Sequence, residues 1–447
     1  MPNQRKAKSY TSLLRAAIVC ATGWIVLAGS ATAPVVAPGD IELLPATTYI
    51  ARAFQKYPVV ALSEMHGNAE SQALFAALLR DSSFQALVSD IVVEFGNARF
   101  QDVVDRYVAG DVVLPDDLSR IWRETTQISG IFDLAMYAQM LAVVRDVNVR
   151  LAPGRKLRVW LGDPPVDWAA VTSPADEDMN DWRDAFFART VQDRIRKHGR
   201  RALVFIGGAH IGRRVVFPNS LIHLLDARLP GETHVVSILD IGAVAPGVAA
   251  RLREWSPGSV AAVRGTWLAQ LDVKAIGFRL STGTVEQDVD ALALLSATPL
   301  SYQPPPAIDA SSPYGAELER RRRLAAATGA FRGAEIRFAA SQAALLPAAR
   351  EPLEAVLAEL NRDAGLTLLV KAFADAREPA PDALSTRRAN VVVDWLASRG
   401  VERGRLQVSG CGTRRPLTFG ENESQRERNR RAELVRLTAA AGCEPPW

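Results

Sequence analysis

Two of the five histidines in this 447-residue chain stand directly behind short apolar runs of the kind that form buried strands. His66 lies in Ser63-Glu64-Met65-His66-Gly67, behind Val59-Val60-Ala61-Leu62, and His210 closes Ile206-Gly207-Gly208-Ala209-His210. Carboxylates take equivalent places: Glu94 ends Ile91-Val92-Val93, Asp163 follows the run Leu157–Leu161, and Asp240 follows Val235–Leu239. In a parallel α/β sheet the carboxyl ends of the strands open on one crevice, so residues behind successive strands share a site. Several chemistries are open to Glu64, His66, Glu94 and His210. His66 and His210, with Glu64 or Glu94, can hold a divalent metal that activates water. Without metal, a histidine can act as general base on water while a carboxylate orients it. Either route hydrolyses an ester or amide. Binding alone, with a histidine as axial ligand to haem, is another reading, and a set that has lost its chemistry and only satisfies strand-end backbone is the last. His198, His223 and His234 sit in helical or strand-edge settings and read as structural.

The elements that position these residues alternate along the chain. Between the apolar runs lie stretches with helical spacing, such as Ala73, Leu74, Ala77 and Leu78, and the span from Phe132 to Val144. Strands separated by helix-length segments predict an α/β fold, a mostly parallel sheet with helices on both faces, over residues 41–300. Tyr302 to Pro306 breaks the regularity, and 301–332 reads as a linker with a short charged helix near Glu317 to Leu324. A second compact unit follows over 333–440. Ile336-Arg337-Phe338 reads as a strand, and Leu353, Val356, Leu357 and Leu360 form one apolar helix stripe. Leu366 to Phe373 is the next strand. Ser385 is placed as N-cap of a helix carrying Ala389, Val392, Val393 and Leu396, and Leu406-Gln407-Val408 and Ala432 to Leu437 supply the last strands. The order is βαβαββ, a small α/β sandwich.

Phe373-Ala374-Asp375, Leu384-Ser385-Thr386-Arg387-Arg388-Ala389, Gly400-Val401, Ser409-Gly410-Cys411-Gly412 with Pro416, and Asn429-Arg430-Arg431-Ala432-Glu433-Leu434 form an ordered motif set. On these residues the unit resembles the OmpA/MotB C-terminal family of peptidoglycan-binding domains. The resemblance implies that Asp375 takes the ammonium, and Arg388 the carboxylate, of diaminopimelate in the peptide stem. A guanidinium fork grips a carboxylate in a bidentate way that lysine cannot copy. One segment departs from the family pattern: Ala376-Arg377-Glu378-Pro379-Ala380-Pro381-Asp382-Ala383 lacks the family's glycine and asparagine and is shorter.

The first unit resembles, through Glu64 and His66, Glu94, and Gly207 to His210, the superfamily that joins erythromycin esterase-like hydrolases, ChaN haem-binding proteins and TraB/Tiki proteases. Ser63 stands where that pattern has a glycine. The resemblance implies a hydrolase or a haem or small-ligand binder and leaves the choice open.

The remaining features point outward from the cytoplasm. Arg5, Lys6, Lys8 and Arg15 precede an uncharged apolar run, Ala16 to Ala28, and then Ala31-Thr32-Ala33, so residues 1–40 read as a signal peptide or an N-terminal membrane anchor. Cys20 belongs to that segment. Cys411 and Cys443 remain and can pair in an oxidising compartment, or stay separate thiols. A net charge of +4 at pH 7 is mild and concentrated in runs such as Arg320–Arg323 and Arg426–Arg431, which does not call for nucleic acid. The sequence therefore predicts a periplasmic protein of the cell envelope, associated with the cell wall and the outer membrane or held by its anchor. Peptidoglycan is the expected partner of the second unit, and a small-molecule substrate or haem that of the first.

Overall fold

The computed structural model describes residues 41–171, 183–215, 220–304, 307–327, 334–414, 423–437 and 443. The leader over residues 1–40, Cys20 and Pro416 lie outside them. Two sheets organise the described chain.

The first holds eight strands: β1 (Leu44–Pro45), β2 (Val59–Glu64), β3 (Asp90–Asn97), β4 (Arg158–Asp163), β5 (Ala202–Gly207), β6 (Thr233–Leu239), β7 (Ser259–Ala262) and β8 (Ala291–Leu294). Their order is β1-β7-β8-β6-β2-β5-β3-β4. From β8 to β4 every neighbouring pair is parallel, and β7 and β1 add an antiparallel edge. Burial on both faces explains the unbroken apolar runs. On β2, Val60 and Leu62 pack with Phe54, Leu78 and Met140 on one side, while Val59 and Ala61 pack with Phe187 and Leu225 on the other. The helices that matter for the site are α1 (Ala69–Arg80), α2 (Ala135–Arg150) and α3 (Arg183–Arg189). Helix α2 begins three residues later than the spacing predicts: Phe132 lies in the turn before it and Leu134 in extended backbone, both buried.

Residues 301–304 and 307–327 are not free of the first sheet. Tyr302 bridges to Asn68, and helix α4 (Pro313–Ala327) is far longer than the short charged helix expected there. Its arginines reach back: Arg320 donates to the carbonyls of Val171 and Trp168, and the buried Arg321 donates to the carbonyl of Arg123. Arg320 and Arg321 of the basic run are thus engaged by internal acceptors.

The second sheet contains β9 (Ala334–Arg337), β10 (Leu368–Ala372), β11 (Leu406–Gly410) and β12 (Arg431–Arg436), in the order β11-β10-β12-β9. Strands β10 and β11 are parallel and the other pairs antiparallel. Helix α5 (Arg350–Arg362) buries Leu353, Val356 and Leu360, and α6 (Pro381–Ala397) buries Ala389, Val392, Val393 and Leu396. A further short helix, Glu423–Glu427, precedes β12 and is absent from the expected βαβαββ order. The N-cap assignment of Ser385 is corrected. Helix α6 starts at Pro381, whose fixed φ suits a first helical position. Ser385 is instead buried inside the helix, where its hydroxyl accepts from the amide of Gly412 at 2.8 Å. Cys411 and Cys443 are joined by a disulfide.

Candidate functional site

The strand order β2-β5-β3-β4 places four sequence-predicted residues side by side. Glu64 ends β2, Gly207 ends β5 with His210 one helical turn on, Glu94 lies in β3, and Asp163 ends β4. Glu64, Glu94 and Asp163 are all buried. The Oε2 of Glu64 lies 2.5 Å from Nδ1 of His66, and Tyr137 on α2 donates its hydroxyl to Oε1 of Glu64 at 3.0 Å. Glu94 is the centre. Its Oε2 accepts from the amide of Gly207 at 2.7 Å and stands 3.8 Å from Nε2 of His66. Its Oε1 accepts from Arg183 at 2.9 Å and stands 3.4 Å from Nε2 of His210. A Cβ at position 207 would lie 2.8 Å from Glu94 Oε2 and 3.3 Å from the His66 ring, so a larger residue there forces the Glu94 carboxylate to shift.

Two further carboxylates complete the cluster. Asp184 on α3 holds Nδ1 of His210 with both oxygens at 3.0 Å and also accepts from the amide of Leu221. Asp163 binds Nε of Arg183 at 2.9 Å, and Thr126 donates to it through both amide and hydroxyl. Each imidazole therefore has one carboxylate behind Nδ1 and shares Glu94 in front of Nε2. Tyr137, Arg183 and Asp184 were not legible in the sequence, because they arrive from helices rather than strand ends. Asp240, expected at the same crevice, turns instead to the amides of Gly242 and Leu300 and the hydroxyl of Tyr302. Ser63, in the place of a family glycine, accepts from the amide of Ile238 at 2.7 Å and so ties β2 to β6.

Electrostatics follow from this pairing. Burial disfavours the imidazolium of His66, but Glu64 and Glu94 outweigh it and raise its pKa to about 9. For His210, Asp184 and Glu94 outweigh burial and raise it to about 10. Burial pushes Glu94 up, yet His210, His66 and Arg183 hold it well below the usual carboxylate range. Asp163 is raised by burial, against the pull of Arg183 and Thr126. The pairing thus favours the imidazolium form of both histidines, which has no free nitrogen to act as a general base. Glu64, His66 and Glu94 each offer a ligand atom within 4.8 Å of one another, a nitrogen and oxygen set suited to a divalent cation. His210 is not in that group, so the expected His66/His210 pair is not the one the geometry offers. An axial ligand to haem needs a neutral imidazole nitrogen with an open face, whereas both Nε2 atoms face Glu94. His234 is structural: it is buried, stacks on Tyr57 at 4.8 Å, and burial lowers its pKa to about 4.

The second sheet carries another charged cluster, at the end of β10. The backbone amide of Asp375 and the guanidinium of Arg388 both donate there to one carboxylate, that of Glu378. Nη2 of Arg388 donates to Oε1 of Glu378 at 2.6 Å and Nη1 donates to Oε2 at 2.8 Å. The same carboxylate accepts from the amides of Ser341 at 2.7 Å and Asp375 at 2.8 Å. Asp375 in turn accepts from Arg426 at 3.0 Å and from Asn429 at 3.2 Å. Burial raises both carboxylates, but hydrogen bonds from Arg426 to Asp375, and from Arg388 to Glu378, bring them below their ordinary values. The wall of this cluster is close-packed: a Cβ on Gly410 would lie 2.8 Å from the Thr386 amide.

Residues 337–430 match the OmpA family, so the chain carries an OmpA-like domain. Over 135 residues it is 31% identical to the peptidoglycan-binding protein ArfA of Mycobacterium tuberculosis, a match that covers 30% of this chain and 39% of that one. Over 86 residues it is 36% identical to the peptidoglycan-associated lipoprotein of Haemophilus influenzae, covering 19% of this chain and 56% of that one. The chain thus spans less than two thirds of the length of these relatives. Among solved structures, the peptidoglycan-associated lipoprotein from Burkholderia pseudomallei matches at 23% identity and a TM-score of 0.23, over 23% of this chain and 89% of that one.

Proposed function

We propose that this chain works in a bacterial envelope, held to peptidoglycan by its OmpA-like domain. The observation that carries this reading is the match of residues 337–430 to the OmpA family, with relatives that are named for peptidoglycan. What supports it is that the motif's Asp375 and Arg388 meet at the end of β10, where the backbone amide of the first and the guanidinium of the second both donate to Glu378. A diaminopimelate end presents an ammonium and a carboxylate on one carbon, and an aspartate beside a guanidinium matches that pair. Export by residues 1–40, and a periplasmic place against the wall, complete the proposal. Among the described residues no helix is long and apolar enough to cross a membrane. Pelleting the full chain with purified sacculi tests it. The wild type is expected in the pellet and Asp375→Ala largely in the supernatant; a wild type that stays soluble contradicts the assignment.

A second reading concerns the first sheet, favoured by the paired imidazoles facing Glu94. It is a hydrolase of esters or amides, with Glu64 and Asp184 orienting His66 and His210. In the protonated state each imidazole can polarise a carbonyl or protonate a leaving group. Base catalysis by His66 requires loss of the proton that Glu64 and Glu94 hold, so a rate that depends on it climbs toward pH 9. A screen against ester and amide substrates, with His66→Ala and His210→Ala as controls, checks this. Turnover unaffected by both substitutions rules the cluster out.

A further inference from the structure

Arg388 has no donor left for a ligand. A guanidinium carries five N–H groups, and here all five have protein acceptors. Nε donates to the carbonyl of Gln342, Nη1 to the carbonyl of Phe373 and to Glu378, and Nη2 to the carbonyl of Ala339 and to Glu378. The side chain of Arg388 is 0% exposed. The Glu378 carboxylate fills the bidentate fork and two backbone amides as well, the cradle that a bound carboxylate would need.

We infer that Glu378 is an internal occupant of the carboxylate half of this face, so that a stem-peptide carboxylate reaches Arg388 only by displacing it. The inference rests on the proposed peptidoglycan reading of the domain. The other half is less closed, because Asp375 is covered by Arg426, a side chain still 22% exposed. The backbone around Glu378 bears signs of constraint. Among the described residues only two non-glycine positions have positive φ, Ser341 at 57° and Ala380 at 46°. Both bracket Glu378: Ser341 donates its amide to it, and Ala380 lies two residues on, at the start of α6. Such conformations persist where surrounding contacts enforce them, and they gather at ligand clamps and switches. Displacing Glu378 removes the hydrogen bond that the Ser341 amide makes.

Isothermal titration of the full chain with diaminopimelate, alongside pelleting with sacculi, tests the inference. Glu378→Gln weakens the internal competitor and is expected to bind diaminopimelate at least tenfold more tightly than the wild type, although it melts at a lower temperature. Glu378→Asp keeps the charge but shortens its reach, and serves if the glutamine variant does not fold. Adding Arg388→Lys to either variant is expected to abolish the gain. A purely structural ion pair predicts the opposite, binding that falls together with stability. Affinities no greater than wild type in both Glu378 variants overturn the inference while leaving wall binding intact. If no form of the chain pellets with sacculi, the peptidoglycan reading fails and this inference with it.

Discussion

His66 and His210, at the ends of the first sheet's strands, keep 26% and 18% of their side chains exposed, and each presents Nε2 to a shared carboxylate. Arg388, the corresponding cation of the OmpA-like domain, is fully buried with every donor taken. Both clusters pair their charges internally, but the first leaves its two imidazoles partly exposed to solvent and the second locks its cation behind a carboxylate of the same chain. A charged constellation is therefore not yet an open site. What separates the two is whether the pairing group must leave before a ligand can enter.

The largest expected effect sharpens that contrast. Arg388→Ala leaves Glu378 charged and buried without its partner, and is expected to cost about 3–5 kcal/mol of stability. His66→Ala, at a partly exposed position, falls in the ordinary range of about 0.5–3 kcal/mol. Urea unfolding of both variants measures the difference; equal losses would mean that the two clusters are closed to the same degree. Next, Cys411→Ser with Cys443→Ser removes a crosslink across 32 positions and is expected to cost about 2–4 kcal/mol, read as a lower melting temperature that added reductant does not change further.

Two glycines test close packing around each cluster. Gly207→Ala forces a Cβ against Glu94, and Gly410→Ala forces one against the Thr386 amide. Each is expected to cost about 1–3 kcal/mol. The first should also alter any activity of the His66/His210 cluster, whereas the second should leave that cluster unchanged. The pH response probes the pairing of the first cluster. The folded pKa values of His66 and His210, about 9 and about 10, lie above the unfolded value near 6.5. Their contribution is complete below about pH 6.5 and is lost as pH rises through 9 and 10. Glu94 behaves in reverse: its contribution is lost only as pH falls below the usual carboxylate range. Thermal melts between pH 6 and 10 should show a decline that His66→Ala reduces; a flat profile contradicts the pairing.

Position along a strand was readable from residue type alone. Glu64, Glu94, Asp163 and His210 were marked by the apolar runs before them, and parallel order brought them together. Asp240 obeyed the same rule yet turned aside, since β6 lies on the far side of β2 from β5. Residues supplied by helices escaped notice, because Tyr137, Arg183 and Asp184 carry no signal until α2 and α3 are packed on the sheet. In the OmpA-like domain the motif located Asp375 and Arg388, but Glu378 was visible only as a departure from the family loop. That its carboxylate reaches Arg388 depends on the fold of residues 375–381, and spacing does not encode it. Ser385 was misplaced for a similar reason: Pro381 starts α6 earlier than the serine rule suggests.

Wall binding through the Asp375 and Arg388 face is the claim on which most of this account depends. It is tested most directly by loading the full chain on sacculi and adding soluble diaminopimelate in excess. Release of the bound protein in proportion to the added amino acid is the predicted result. Retention of the chain on sacculi at every concentration, with Asp375→Ala bound as tightly as the wild type, would contradict it.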